Sequence, residues 1–232
     1  MPSCGWQRMS ESGINLDFDR AARLGLDEAL LCADKSSAQI AAILDRVAAR
    51  DATMLLTRLA PQAFDALPAG HRARLDYEPL SATAIFGIVP PPTRADRVAI
   101  VGAGTSDMRV CREAARTLAY HDVRPSEIYD VGVAGIWRLM DRVPEIIRHP
   151  VVIAVAGMDA AVVSVLGGLV PGVIIAVPTS TGYGVARRGE TALHAALASC
   201  APGVSVVNID NGYGAACAAL RALRAFDTGK PT

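Results

Sequence analysis

The sequence predicts an α/β protein: a doubly wound parallel sheet in a three-layer sandwich, preceded by a smaller α/β unit. Three observations carry that expectation. From residue 98 onward, five short runs rich in β-branched residues alternate with five runs whose apolar residues recur at helical spacing. The 232-residue chain is 51% hydrophobic but only 5% aromatic, so Ala, Val, Leu and Ile must fill the core, as suits helices packed on a sheet buried on both faces. The segment VPPPT at 89–93 holds three consecutive prolines, which fit neither a helix interior nor a central strand. It is read as the linker between a small unit, 1–92, and a catalytic domain, 93–232.

In the small unit, EALLC (28–32) reads as a strand. SSAQIAAILDRVAAR (36–50) begins with serines fit for an N-cap and continues at helical spacing. ATMLLT (52–57) reads as a second strand, PQAFDAL (61–67) as a short helix, and 72–86 as one or two further strands. After the linker, VAIV (98–101) leads through GAGTSD into the helix MRVCREAARTLAY, and EIYDV (127–131) through GVAG into IWRLMDRV. VVIAVAG (151–157) leads into MDAAVVSVLGGLV, VIIAVP (173–178) through TSTGYG into ETALHAALASC, and VSVVNID (204–210) into NGYGAACAALRALRAF. Right-handed crossovers then place every strand's C-terminal loop on one edge of the sheet.

Composition excludes several classes. Lys+Arg and Asp+Glu are equal at 23 each, which favours neither nucleic acid nor an anionic membrane as partner. The five cysteines, at 4, 32, 111, 200 and 217, are odd in number, form no CxxC and have no zinc spacing. A reducing, cytoplasmic setting is expected. The opening residues, MPSCGWQRMSESG, lack the apolar core of a secretory leader. The apolar stretch 151–177 is long enough to span a bilayer, but Asp159, a glycine pair and Pro171 break it, so strand, loop, helix and strand is the better reading.

The chemistry is expected in the strand-end loops. Each pairs glycine, which lets the backbone approach a ligand closely, with small hydroxyl or acidic residues. Free N–H groups at a following helix N-terminus attract phosphate. In GAGTSD, Gly104 shapes the turn, Thr105 and Ser106 offer hydroxyls, and Asp107 is free to cap the helix or bind a ribose hydroxyl. The other loops contribute Asp130 with Gly132, Val133, Ala134 and Gly135; Gly157, Met158 and Asp159; Pro178, Thr179 and Ser180 with Gly182, Tyr183 and Gly184; and Asn208, Asp210, Asn211 and Gly212. Five such loops on one edge point to a phosphorylated small molecule. GAGTSD lacks the lysine of a P-loop and is not GxGxxG, so triphosphate hydrolysis and dinucleotide-dependent hydride transfer are disfavoured, and no tightly bound organic cofactor is expected. None of the four histidines falls in these loops. The only thiol read as reaching this edge is Cys200, in SCAPG. The plain reading of any of these cysteines is a small buried hydrophobe, and it suits Cys111 and Cys217, which lie within helical runs. A nucleophilic Cys200 would need a base, for which Asp159 is a candidate.

GTSD, YDVGVAGI-RL, VAGM followed by an acid, PTS-GYG, SCA-G and VNIDNGYGAA occur here in one order and spacing. With these motifs the chain resembles the LarB family of nickel-pincer nucleotide cofactor synthesis, strongly over 95–225 and loosely in the N-terminal unit. That family is itself similar to the PurE aminoimidazole ribonucleotide carboxylases. The resemblance implies a PurE-like fold and a homo-octamer. It implies carboxylation by CO2 of the pyridinium ring of nicotinic acid adenine dinucleotide, with magnesium-assisted cleavage of the phosphoanhydride. AMP and pyridinium-3,5-biscarboxylic acid mononucleotide would be released. It also implies that Cys200 adds covalently to the ring. Two positions depart from the family: Asp159 stands where a glutamate is usual, and Trp137 where a histidine is usual. The alternatives are a PurE-like carboxylase or mutase of aminoimidazole ribonucleotide, disfavoured because MDAAVVS carries no histidine, and a non-catalytic nucleotide-binding homologue.

Overall fold

A computed structural model describes residues 14–228; the opening segment 1–13, read above for a leader, lies outside the described residues. The N-terminal unit is a four-stranded sheet with its helices. A short helix α1 (Arg20–Leu24) is followed by β1 (Leu30–Leu31), α2 (Ser37–Ala48), β2 (Met54–Thr57), α3 (Pro61–Asp65), α4 (Ala69–Arg72), β3 (Leu75–Glu78) and β4 (Thr83–Phe86). The sheet order is β1-β2-β4-β3, parallel only between β1 and β2. Helix α2 starts where the serines predict. Ser36 accepts from the Gln39 N–H while Gln39 accepts from the Ser36 N–H, which satisfies two of the helix's free donors. Ile40, Ile43, Leu44 and Val47 recur on one face of it and pack on Met54, Leu56, Ala84 and Phe86.

The second unit runs β5 (Val98–Gly102), α5 (Met108–Tyr120), β6 (Ser126–Ile128), α6 (Ile136–Ile146), β7 (Val151–Ala156), α7 (Ala161–Leu169), β8 (Val173–Pro178), α8 (Glu190–Leu197), β9 (Ser205–Val206) and α9 (Gly212–Thr228). All five strands are parallel, in the order β6-β5-β7-β8-β9. The alternation of side chains along the strands divides the core in two. Val98, Ile100, Val151, Ile153, Val155, Ile175 and Val177 face α5 and α9. Ala99, Val101, Val152, Ala154, Ala156, Ile174 and Ala176 face α6, α7 and α8. With helices on both faces, the sheet is the three-layer, doubly wound α/β sandwich the alternating pattern predicts.

Several boundaries fall short of the sequence reading, for local reasons. The strand expected over 204–210 is only Ser205–Val206, because the chain turns at Asn208–Asp210 and the Asp210 N–H is donated to the Pro178 carbonyl at 2.8 Å. The helix expected from Met158 starts at Ala161, because Met158 and Ala160 both take left-handed backbone, φ 53° and 51°. Helix α6 continues past Val143 through Pro144 to Ile146; proline removes one backbone donor, yet the Ile147 N–H still reaches the Val143 carbonyl at 3.0 Å.

The two units meet along α5. Tyr120 packs with Leu55 and Ile85, and its hydroxyl lies 3.1 Å from the Thr53 hydroxyl. On the same helix Arg112 pairs with Glu78 at 2.8 Å, and Arg116 with Asp76 at 3.1 Å. Among the described residues no helix is long and apolar enough to cross a membrane.

Candidate active site

In an open parallel sheet, ligands bind beyond the strand ends where the strand order reverses direction. Here the chain moves outward from β5 to β6, then returns to place β7 on the other side of β5, so the switch point lies between β5 and β7. A cavity of about 360 Å³ opens there. It is lined by Gly104, Thr105, Ser106 and Asp107 after β5, by Asp130, Gly132, Val133 and Ala134 after β6, by Gly157, Met158 and Asp159 after β7, and by Thr181 after β8. A larger hollow of about 600 Å³ runs along the edge strand of the N-terminal unit, beside Leu30, Lys35 and Ile43, away from these strand ends.

Close packing between loops builds the cavity wall. Gly157 has no room for a side chain: a Cβ there would stand 2.4 Å from the Thr181 carbonyl oxygen and 2.7 Å from Thr179 Oγ1. The Met158 N–H is donated to the Thr181 carbonyl at 2.8 Å, tying the loops after β7 and β8 together. Behind them Asp107 is buried. One carboxylate oxygen accepts from Thr179 Oγ1 at 2.6 Å, the other from the Gly104 N–H at 3.0 Å. Asp107 is therefore committed to latching the β5 loop to the end of β8. It stands at the N-cap position of α5 but makes no side-chain cap to that helix: its carboxylate turns back to the Gly104 N–H instead. Thr105 and Ser106 remain exposed in a 3-10 turn that feeds the N-terminus of α5.

The other carboxylates of this edge are held apart. Asp130 pairs with Arg138 at 3.1 Å, and Asp210 with Arg109 at 3.0 Å while accepting from the Ser180 N–H at 2.9 Å. Asp159 is exposed in the cavity, and its carboxylate accepts from the Ala161 N–H at 3.3 Å, at the start of α7. Among the described residues no group of three or more potential ligands gathers as a metal site.

The remaining predicted positions lie outside the cavity lining. Gly135 stands above α6, with Trp137 and Arg138 crowding the place of a Cβ. Pro178, Thr179 and Ser180 form the floor behind Gly157, while Gly182, Tyr183 and Gly184 are exposed beyond the rim. The loop after β9 turns to structural work. Asn208 accepts from the N–H of Ile209, and Asn211 caps α9 by accepting from the Gly214 N–H at 2.8 Å. The backbone of Gly212 is closed off by α5: a Cβ there would stand 2.4 Å from the Val110 carbonyl, and Glu113 accepts from the Tyr213 N–H at 3.3 Å. A buried carboxylate thus already occupies the anion-attracting N-terminus of α9, so this loop offers no free phosphate cradle.

Cys200 requires the largest correction. It follows α8 and precedes β9, and so belongs to a helix-to-strand connection at the N-terminal edge of the sheet. Its neighbours fix the position. Ser199 Oγ is 2.8 Å from Ser164 Oγ in α7, and Ala201 packs where Gly167 leaves room. Gly167 stands about 9 Å along the axis from Ala161, and Asp159 lies beyond that first residue. Asp159 precedes α7 in a strand-end loop, whereas Cys200 follows α8 in the connection leading into β9, and Cys200 does not line the cavity. It is exposed, unlike Cys111, which is fully buried against Gly102 and whose thiol is pushed up by burial. Cys217 is partly buried beside the same core, as its helical position predicts.

Three residues escaped the sequence reading. Thr181 was passed over as the variable position between PTS and GYG. Glu113 carried a signal, since it falls on the apolar face of α5 beside Val110, Ala114 and Thr117. Arg58 carried none: it sits in the N-terminal unit, and its guanidinium reaches the Asp210 carbonyl at 2.8 Å, across 152 residues of sequence.

Fold and site together define a class: a parallel α/β domain with a small-molecule cavity at its switch point, beneath a second unit that braces one of its loops. Residues 97–231 match the family described as AIR carboxylase, and residues 11–87 match the LarB/PurE-like N-terminal domain. The chain belongs to the AIR carboxylase family, as a LarB-type, PurE-like member. It is 47% identical over 121 residues to an uncharacterized protein of Methanocaldococcus jannaschii; the match takes in 51% of this chain and 46% of that protein, so the chain spans about half the length of the curated relative. A crystallised PurE2 variant of Treponema denticola is similar at 21% identity over 60% of this chain and 83% of that one, with a TM-score of 0.44.

Proposed function

We propose that this protein is a pyridinium-3,5-biscarboxylic acid mononucleotide synthase. It carboxylates nicotinic acid adenine dinucleotide with CO2 and hydrolyses the phosphoanhydride with one water molecule, so that AMP and the mononucleotide each leave with a phosphate. The observation that carries the reading is the pairing of a LarB-type N-terminal unit with a switch-point cavity into which an exposed carboxylate, Asp159, opens beside the hydroxyls of Thr105 and Ser106.

An electron-poor pyridinium carbon cannot attack CO2. Addition of the Cys200 thiolate to a neighbouring ring carbon forms a C–S bond and moves a π pair onto the ring nitrogen. The resulting enamine makes carbon 5 nucleophilic, and it forms the new C–C bond to CO2. Asp159 then takes the proton from carbon 5, the C–S pair leaves with sulfur, and aromaticity returns. Thr105 and Ser106, at the start of α5, suit a phosphate of the substrate. Because Cys200 stands at the far edge of its own sheet, the thiol in each site comes from the 198–204 loop of a neighbouring copy. Self-association is therefore part of the mechanism, and the octamer implied by the resemblance would satisfy it. Magnesium, also expected from the resemblance, would need only one or two carboxylates beside the substrate phosphates, and no step is assigned to it.

The test is incubation with the dinucleotide and bicarbonate, with products read by mass spectrometry. The biscarboxylated mononucleotide with AMP supports the reading. Turnover of aminoimidazole ribonucleotide instead would identify the PurE-like alternative, which has to explain a β7 loop without histidine.

A further inference from the structure

Between β8 and α8, five residues take left-handed backbone: Gly182 (φ 132°), Gly184 (55°), Arg187 (45°), Arg188 (54°) and Gly189 (99°). Glycine does this freely, but a side chain in this region crowds the following carbonyl. The turn uses glycine at three of these positions and keeps arginine at two consecutive ones, interrupting what would otherwise be a continuous helical segment. Strain of this kind persists where the surroundings impose it and concentrates at functional sites.

The two arginines lie outside the cavity lining, on the segment that packs behind its wall. Just before them, Ala186 packs at Gly182, which itself lies against Met158 of the cavity wall. Just after them, Gly189 fits against the Thr179 carbonyl and Ile209, where a Cβ would be 2.8 Å from each. Both arginines are exposed, and neither makes an ion pair or side-chain hydrogen bond among the described residues. The other arginines of this edge are engaged: Arg138 by Asp130, Arg109 by Asp210, and Arg58 by the Asp210 carbonyl. A guanidinium offers a planar fork of donors matched to phosphate oxygens.

We propose that Arg187 and Arg188 form an anion-binding rim that takes a phosphate group of the ligand as it enters the cavity past Met158 and Thr181. That the ligand is a dinucleotide rests on the function proposed above; the phosphate specificity of the pair does not.

Titration calorimetry with inorganic pyrophosphate, AMP and nicotinic acid adenine dinucleotide, paired with thermal melts, tests this on the full chain and on Arg187→Ala, Arg188→Gly and Arg188→Lys. Arg188→Gly relieves the backbone and removes the charge. It should raise Tm by roughly 2–4 °C while weakening pyrophosphate and AMP binding about tenfold. Arg187→Ala should weaken binding similarly, and Arg188→Lys, which keeps the charge but loses the fork, should fall between wild type and Arg188→Gly. Arginine-dependent binding of pyrophosphate and AMP without binding of the dinucleotide would uphold the rim and remove the proposed substrate. A raised Tm with unchanged affinity for pyrophosphate and AMP would overturn the rim, as would a wild-type protein that binds none of the three.

Discussion

The two edges of the parallel sheet are built from the same kinds of residue and do different things. At the C-terminal edge the connections after β6, β7, β8 and β9 each hold at least one non-glycine residue in left-handed backbone: Asp130, Met158, Ala160, Arg187, Arg188 and Asp210. These loops are cross-tied by Asp107, Thr179 and Thr181 into a cavity wall. The N-terminal edge has short turns and a serine pair, Ser164 with Ser199, beside an exposed thiol. The comparison shows that a residue's edge is set by whether it follows a strand or a helix, whatever its chemical promise. Asp159 follows β7 and reaches the cavity; Cys200 follows α8 and does not.

The sharpest way to break this comparison is at the thiol. Cys200→Ala should abolish carboxylation and any covalent adduct seen by intact-protein mass, while shifting stability by less than about 0.5 kcal/mol, because the site is exposed. An adduct mapped to Cys111 or Cys217 would return Cys200 to an inert role. At the other edge, Asp159→Asn keeps the shape and removes the base; turnover should fall by roughly 10²–10³-fold with binding of the dinucleotide little changed. A turnover number close to wild type would remove Asp159 from the proton transfer.

Asp107→Ala tests the cross-ties. It leaves the Gly104 N–H and the Thr179 hydroxyl without their buried acceptor, which should cost about 1–3 kcal/mol of stability. Ligand affinity should fall with it as the β5 loop loosens. Unchanged affinity with lowered Tm would mean the latch is structural only.

Most of this architecture was legible from the chain. Five β-branched runs and five helical runs gave the parallel sheet, since burial on both faces leaves little choice of residue. The loops carrying Gly104 to Asp107 and Gly157 to Asp159 could be found because glycine beside hydroxyls and acids is rare inside a packed core. Three things were hidden. The strand order, which puts the switch point between β5 and β7 rather than beside β9, depends on tertiary pairing. The reach of Arg58 to Asp210 depends on how two units dock. And Cys200 was assigned by its neighbours in motif rather than by its place after a helix.

The smallest expected effect concerns Glu113, which is buried at the start of α9. Burial pushes its carboxyl up, so the folded protein holds the proton to higher pH than the unfolded chain. The stability this contributes is complete below the ordinary carboxylate range and is lost as pH rises through the raised value. Glu113→Gln cannot ionise and should flatten that loss in denaturation curves taken between about pH 4 and 8. An identical pH slope in both proteins would show that Glu113 does not govern it.

The central claim is that one catalytic site draws Asp159 from one copy and Cys200 from another, and subunit mixing tests it most directly. Cys200→Ala and Asp159→Asn proteins, each inactive alone, are unfolded, mixed in equal amounts and refolded together. Sites shared between copies should recover activity toward about a quarter of wild type, since half the thiol donors and half the carboxylate donors are intact. Mixed oligomers that form but stay inactive would contradict the claim.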